Sequence, residues 1–219
     1  MDGWKAIFEA GYLFALGFVV ALSGVLLPGP LLIYVVGKSA EEGVKTGPLV
    51  VLGHFSIELL LIVMIMLGVH LILQSPPFTV GLGLLGGTLL LIFGVKEIAA
   101  KSGNGNPSGF SHLNVHPYAG GIIFSTFLNP SVPLWWATLG FALLMDAYLL
   151  ASYFGVVFWS LGHFTADLVW YTFIAYAVWS GKKRVLKHRV NIARICGILL
   201  SGFGLYFLLK YGLMLPQFF

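Results

Sequence analysis

Six long apolar runs, at roughly 11–36, 48–74, 78–99, 118–145, 149–179 and 190–213, fill most of the chain. Each exceeds the ~20 residues that an α-helix needs to cross a hydrocarbon core of ~30 Å. Stretches such as LLLIVMIMLGV (59–69) show no period-2 alternation, so a β-barrel is excluded. Backbone groups facing lipid must then bond within their own segment, which makes each run a helix. Only 9% of the 219 residues are charged, against ~25% in a soluble domain. So few charges cannot coat a soluble surface of this size. The chain is therefore read as an all-α polytopic membrane protein with six transmembrane helices. That reading excludes a cytosolic enzyme, a disordered chain and a nucleic-acid binder. The N-terminal run lacks a basic leader and a small-x-small cleavage site, so it is expected to be a first span. The lone Cys196 excludes an intramolecular disulfide and a CxxC relay.

The connections set an orientation. Lys38, Lys45, Lys96, Lys101, Lys182, Lys183, Arg184, Lys187, Arg189 and Arg194 fall on one side, and Lys5 and Lys210 on the other. The asymmetry predicts that the first, third and fifth connections are cytoplasmic and both termini lie outside, in a cell membrane. The basic run SGKKRVLKHR (180–189) is a topology anchor on this reading, and Trp179 beside it an interfacial anchor.

The second run contains LGHFSIELLLIVMIMLGV (52–69) and the fifth LGHFTADLVWYTFIAYAV (161–178), a shared L-G-H-F-[ST]-x-[ED]-L at an offset of 109 residues. Leu and Val coincide easily in apolar sequence; His together with an acid does not. The first run holds LLPGPLL (26–32) and the fourth FLNPSVPLWW (127–136), each with two prolines near mid-span. The third and sixth share only a weak LxxxxxLxFxxK pattern (Leu85 to Lys96, Leu199 to Lys210). This predicts two three-helix repeats, 1–100 and 118–219, joined by a Gly/Asn/Ser/Pro linker at 101–117. An odd number of spans per repeat makes the two opposite in orientation, a 3+3 inverted-topology arrangement used by secondary transporters. The first and fourth helices are predicted to be broken.

Chemistry is expected at two places. Pro28, Gly29 and Pro30, and Asn129, Pro130 and Pro133, remove backbone N–H groups or permit unusual dihedrals. Breaks at membrane depth survive where they line a wet cavity, and half-helix ends there can hold a substrate carboxylate or a cation. Glu58 lies 11 residues into its span, about 16 Å deep, and Asp167 is its counterpart. His54 and Glu58 are i and i+4, as are His163 and Asp167, so each pair shares a helix face. Ser56 and Thr165 sit about 200° round from the histidines. Three readings stay open. The acids bind a substrate ammonium and exchange protons with the histidines. Alternatively, His54, Glu58, His163 and Asp167 ligate a divalent metal. Or all four are structural hydrogen-bonding groups between helices.

Gly43, Gly47, Gly53, Gly83 and Gly87 permit close helix packing, and a homodimer is expected from such faces. Trp135 and Trp136 adjoin the second break and are placed to line a site, whereas His112 and His116 in the linker read as solvated. No P-loop, GxSxG or HExxH occurs, and the reading is neither an enzyme nor an ATP-driven pump; no cofactor is expected. A channel, which predicts non-saturating flux, and a subunit of a larger complex, which predicts no transport alone, are the competing classes.

A first run ending in P-G-P, a short charged loop, the Gly43, Gly47 and Gly53 spacing, and the Asn129-Pro130 pair resemble the lysine exporter (LysE) family over nearly the whole chain. The resemblance implies export of amino acids, basic or small neutral ones, by proton coupling. It places Pro28, Gly29, Pro30, Asn129 and Pro130 in the translocation core. The duplicated His-x-x-x-acid pair is more prominent than amino-acid export asks for, and related branches move metal cations. Another branch carries electrons through paired cysteines, which a single Cys excludes. The expected partners are therefore a small-molecule substrate, protons and membrane lipid. The expected cycle is alternating access, with one half rocking on the other.

Overall fold

The computed structural model describes residues 3–26, 29–73, 75–99, 115–126 and 128–214. Pro28, most of the predicted linker with Lys101 and His112, and the side chain of Cys196 lie outside the described residues. Among the described residues every regular element is helical. Four stretches are long and apolar enough to cross a membrane: Trp4–Val25, Thr46–Met66, Pro76–Ile98 and Ser131–Ser180; Gly197–Gly212 is a shorter apolar helix.

Helix α1 spans Gly3–Val25 and α2 spans Pro30–Glu42. Between them the chain turns extended at Gly29 (φ −114°, ψ 178°), which caps α2, and Pro30 sits in its first turn, where no N–H is needed. α2 stops at Gly43, whose φ of +92° is a conformation side chains resist, and Gly43 N–H returns to Ser39 O at 3.0 Å. α3 (Thr46–Met66) follows, then the short α4 (His70–Leu73) and α5 (Pro76–Ile98), which opens on the Pro76-Pro77 pair. In the second part of the chain come α6 (Pro117–Ile123), α7 (Ser131–Trp135), a π-helical turn over Trp136–Gly140, α8 (Phe141–Ser180), α9 (Lys182–Lys187) and α10 (Arg189–Gly212). His116, read from sequence as solvated, caps α6: its Nδ1 accepts from Tyr118 N–H at 3.3 Å.

A straight helix over the 50 residues 131–180 would be about 75 Å long, more than twice a bilayer core. It is not straight. Ala151 (φ −142°) and Ser152 (φ +53°) are non-helical and divide α8 into arms at 141–150 and 153–180. Gly155 makes the bend compact, because a Cβ there would lie 2.0 Å from Ala147 O.

The helices pair crosswise along the chain. α1 packs on α8, α3 on α6, and α5 on α10. Apolar burial drives little association in lipid, so close backbone approach must hold these seams, and glycine supplies it. A Cβ on Gly17 would lie 2.0 Å from Trp159 O, and one on Gly162 2.0 Å from Phe14 O. The α3–α6 seam repeats this with Gly53 against Tyr118 O and Gly121 against Val50 O, both at 2.0 Å. Gly94, Gly197 and Gly204 line the α5–α10 seam, where Gly197 would meet Gly94 O at 2.6 Å. Gly43, Gly47, Gly53, Gly83 and Gly87, whose spacing suggested a dimer, all meet groups of their own chain. Large side chains such as Trp4 (85% exposed) and Leu149 (81%) point outward. A monomeric soluble protein does not tolerate so continuous an apolar surface; this is a multi-pass membrane protein.

Candidate functional site

The duplicated motif places its residues by helical spacing. In α3, Gly53 lies flush on α6, and the next residue, His54, is turned about 100° away, into the interior. Glu58 follows one turn later on the same face. In α8, Gly162 lies flush on α1, and His163 and Asp167 repeat the pattern. All four ionisable side chains are at least 96% buried. Ser56 and Thr165, on the other face, bond their own helices, to Leu52 O at 3.0 Å and Leu161 O at 2.7 Å.

The four groups meet. Glu58 Oε1 lies 3.0 Å from His163 Nε2 and 3.3 Å from His54 Nε2, and accepts from Trp136 Nε1–H at 3.0 Å. Asp167 Oδ2 lies 3.5 Å from His163 Nε2 and 3.7 Å from His54 Nε2. The second Glu58 oxygen and both Asp167 oxygens are buried without a hydrogen-bond partner. Glu58 and Asp167 are among the residues that line a cavity of about 270 Å³, at the small end of ligand pockets.

The hydrogen-bond network assigns the ring protons. Ser125 has one hydroxyl hydrogen, which it donates to Gly121 O at 2.6 Å. It therefore accepts from His54 Nδ1–H at 2.7 Å. A neutral His54 then presents a bare Nε2 to both carboxylates. One proton placed among His54 Nε2, Glu58 Oε1 and Asp167 Oδ2 would turn that repulsion into hydrogen bonding. His163 differs. Its Nδ1 has no partner, and its Nε2–H donates to Glu58. Its ring is enclosed by Trp135, Trp136 and Trp159, with centroids at 5.0, 5.1 and 5.6 Å. The π-turn that begins at Trp136 widens the helix here, and Gly140 leaves room for the Trp135 ring, 2.7 Å from where a Cβ would be.

Replacing Ser125 with Ala is expected to release the His54 tautomer. The two ring ¹⁵N resonances of His54 should move toward the Nε2–H pattern, with a stability loss of about 1 kcal/mol. Unchanged ¹⁵N shifts would contradict the proton assignment.

Gly29 and Pro30 from the first interruption, and Asn129 from the second, line the same cavity. Asn129 Oδ1 accepts from the Ser131 hydroxyl. Pro130 packs against Gly86 of α5, where a Cβ would overlap its ring. Pro133 lies inside α7 and is not among the lining residues. Sequence reasoning missed Ser125, Tyr171 and the wall from α5 and α10: Leu90, Leu200, Phe203, Tyr206 and Phe207. Tyr171 carried a signal, being four residues beyond Asp167 on the same stripe. Ser125 carried none, because its bond depends on where α6 ends.

Residues 22–211 match the family model described as LysE type translocator. The chain belongs to that family. The matched segment contains both proline interruptions, both His/acid pairs and every cavity-lining residue except Ala21. The LysE type translocator described here is thus a membrane translocator with buried acids and histidines at its centre. No curated protein and no solved structure matches the chain.

Proposed function

We propose that this LysE type translocator is a secondary transporter that exports a small amino acid or a related solute, coupled to protons, by alternating access. The observation that carries the proposal is the meeting of Glu58, Asp167, His54 and His163 at one cavity, with a bare imidazole nitrogen facing two carboxylates. Such a set binds a substrate ammonium when unprotonated and releases it on taking up a proton, which is the exchange that antiport requires. A substrate carboxylate meets Asn129 and the first turn of α2, whose end carries positive dipole.

In this proposal the chain crosses a cell membrane six times as a 3+3 inverted repeat, with the first crossing interrupted between α1 and α2 and the fourth between α6 and α7. The crosswise pairing supports it. A two-fold operation that exchanges the repeats carries the α1–α8 seam onto the α3–α6 seam and returns the α5–α10 seam to itself. Because helices pair across the repeats, the bodies that move against each other each draw on both. The basic loops are cytoplasmic and both termini outside.

Proteoliposomes test the proposal. Export of labelled amino acids should saturate with concentration and rise severalfold under an inward proton gradient. Non-saturating flux would indicate a channel, and no flux from the purified chain a subunit; either result overturns the reading.

One observation favours a second reading, a divalent metal as cargo. Single ligand atoms of His54, Glu58 and Asp167 lie within 4.8 Å of one another. That reading predicts thermal stabilisation by Mn, Ni or Zn, lost in both Glu58→Gln and Asp167→Asn.

A further inference from the structure

We infer that the cavity selects a substrate with one ammonium group and an uncharged apolar side chain, of leucine to phenylalanine size, and rejects lysine and arginine. The inference rests on the carrier reading above and names its substrate class.

Two buried acids could in principle hold the two cations of a basic amino acid. Their positions argue otherwise. Glu58 Oε1 and Asp167 Oδ2 both converge on the same pair of imidazole nitrogens, at 3.0 to 3.7 Å, so they make one anionic point and not two. The rest of the cavity offers no second anion. Among its lining residues there is no third acid and no Lys or Arg. Besides the histidines, its neutral polar side chains are Asn129, Ser131, two tyrosines and the indoles of Trp135 and Trp136. The remaining lining is largely aliphatic and aromatic, with Val25, Leu31, Leu90, Leu200, Phe203 and Phe207. An ammonium held at Glu58 and Asp167 therefore leaves the substrate's side chain against hydrocarbon. A methylene or phenyl side chain is stabilised there, whereas a second ammonium or a guanidinium would be buried without a counter-ion. The volume of about 270 Å³ sets the size, room for one small molecule.

The test uses the purified full-length chain, read by thermal shift and titration calorimetry. Leucine, methionine and phenylalanine should raise the melting temperature, and leucine should bind at least tenfold more tightly than lysine or arginine. 4-Methylpentanoate, which is leucine without its amine, should not bind. Placing an acid in the wall, Phe203→Glu, should invert the order of leucine and lysine; Phe207→Glu carries the same expectation should the first variant not fold. Lysine or arginine binding as tightly as leucine would overturn the selectivity while leaving the carrier reading intact. Stabilisation by Mn or Zn with no response to any amino acid would overturn both.

Discussion

Glu58→Gln is expected to reduce proton-driven export at least a hundredfold in a protein that still folds. Glu58 Oε1 receives the Trp136 indole and the His163 imidazole, each at 3.0 Å, and faces His54 Nε2 at 3.3 Å. Glutamine keeps the shape and one acceptor oxygen, so the bonds from Trp136 and His163 persist. What it loses is the negative charge that, in the proposed mechanism, holds a proton between this oxygen and His54. Removing one member of a buried charged set costs about 3–5 kcal/mol, and a loss of that size in substrate binding exceeds a hundredfold. Asp167→Asn should cost export less in structure and as much in function, since neither Asp167 oxygen has a hydrogen-bond partner to lose. Liposome flux under a pH gradient, with elution profile and melting temperature as folding controls, measures both. Export by Glu58→Gln within twofold of the parent would remove Glu58 from the mechanism.

The second large effect is structural. Gly162→Ala should prevent or severely weaken assembly, although it adds a single methyl group. That methyl would sit 2.0 Å from Phe14 O, 2.8 Å from Phe14 C and 2.9 Å from Phe18 N. All three are backbone atoms of α1, so no side chain can swing aside and the helices must separate. Overpacking of this kind costs about 1–3 kcal/mol in a pliable core, and rigid backbone makes the upper figure a floor. Gly17→Ala, Gly53→Ala and Gly121→Ala should behave alike, each meeting a carbonyl oxygen at 2.0 Å. Gly11→Ala and Gly202→Ala are the controls. Nothing lies within 4 Å of either, and alanine is the better helix former by about 1 kcal/mol, so neither should lower the melting temperature. A Gly162→Ala protein as stable as Gly11→Ala would refute the seam.

Length and apolarity alone made the helices legible, because lipid leaves the backbone no other solution. Prolines and glycines marked the gap between α1 and α2. The junction of the fourth and fifth runs at 145–149 fell a few residues short of the bend at Ala151–Ser152, where neither residue is Gly or Pro. Asn129 and Pro130 marked the gap between α6 and α7, whereas nothing marked the π-turn at Trp136–Gly140. In the candidate site, the residues marked by a repeated polar pattern were readable: His54, Glu58, His163 and Asp167 stand out against an apolar background. Their company was not. Leu90, Leu200, Phe203 and Phe207 look like any lipid-facing residue until α5 and α10 are seen packed together. The shared pattern of the third and sixth runs begins at Leu85 and Leu199, which are exposed, and reaches the cavity at only one position, Phe207.

The crosswise seams have a consequence for how the molecule is made. When the first hundred residues have left the ribosome, α1, α3 and α5 are all synthesised, yet their principal mates are α8, α6 and α10. Three hydrophobic rods must wait in the bilayer with notched glycine faces open to lipid or to an insertion chaperone. α3 is the first to be satisfied, once Gly121 arrives, α1 must await Gly162, and α5 is last, completed only by Gly197 and Gly204. Biogenesis therefore closes the seams in the order α3–α6, α1–α8 and α5–α10, and the cavity wall supplied by α10 is the last of them to be put in place.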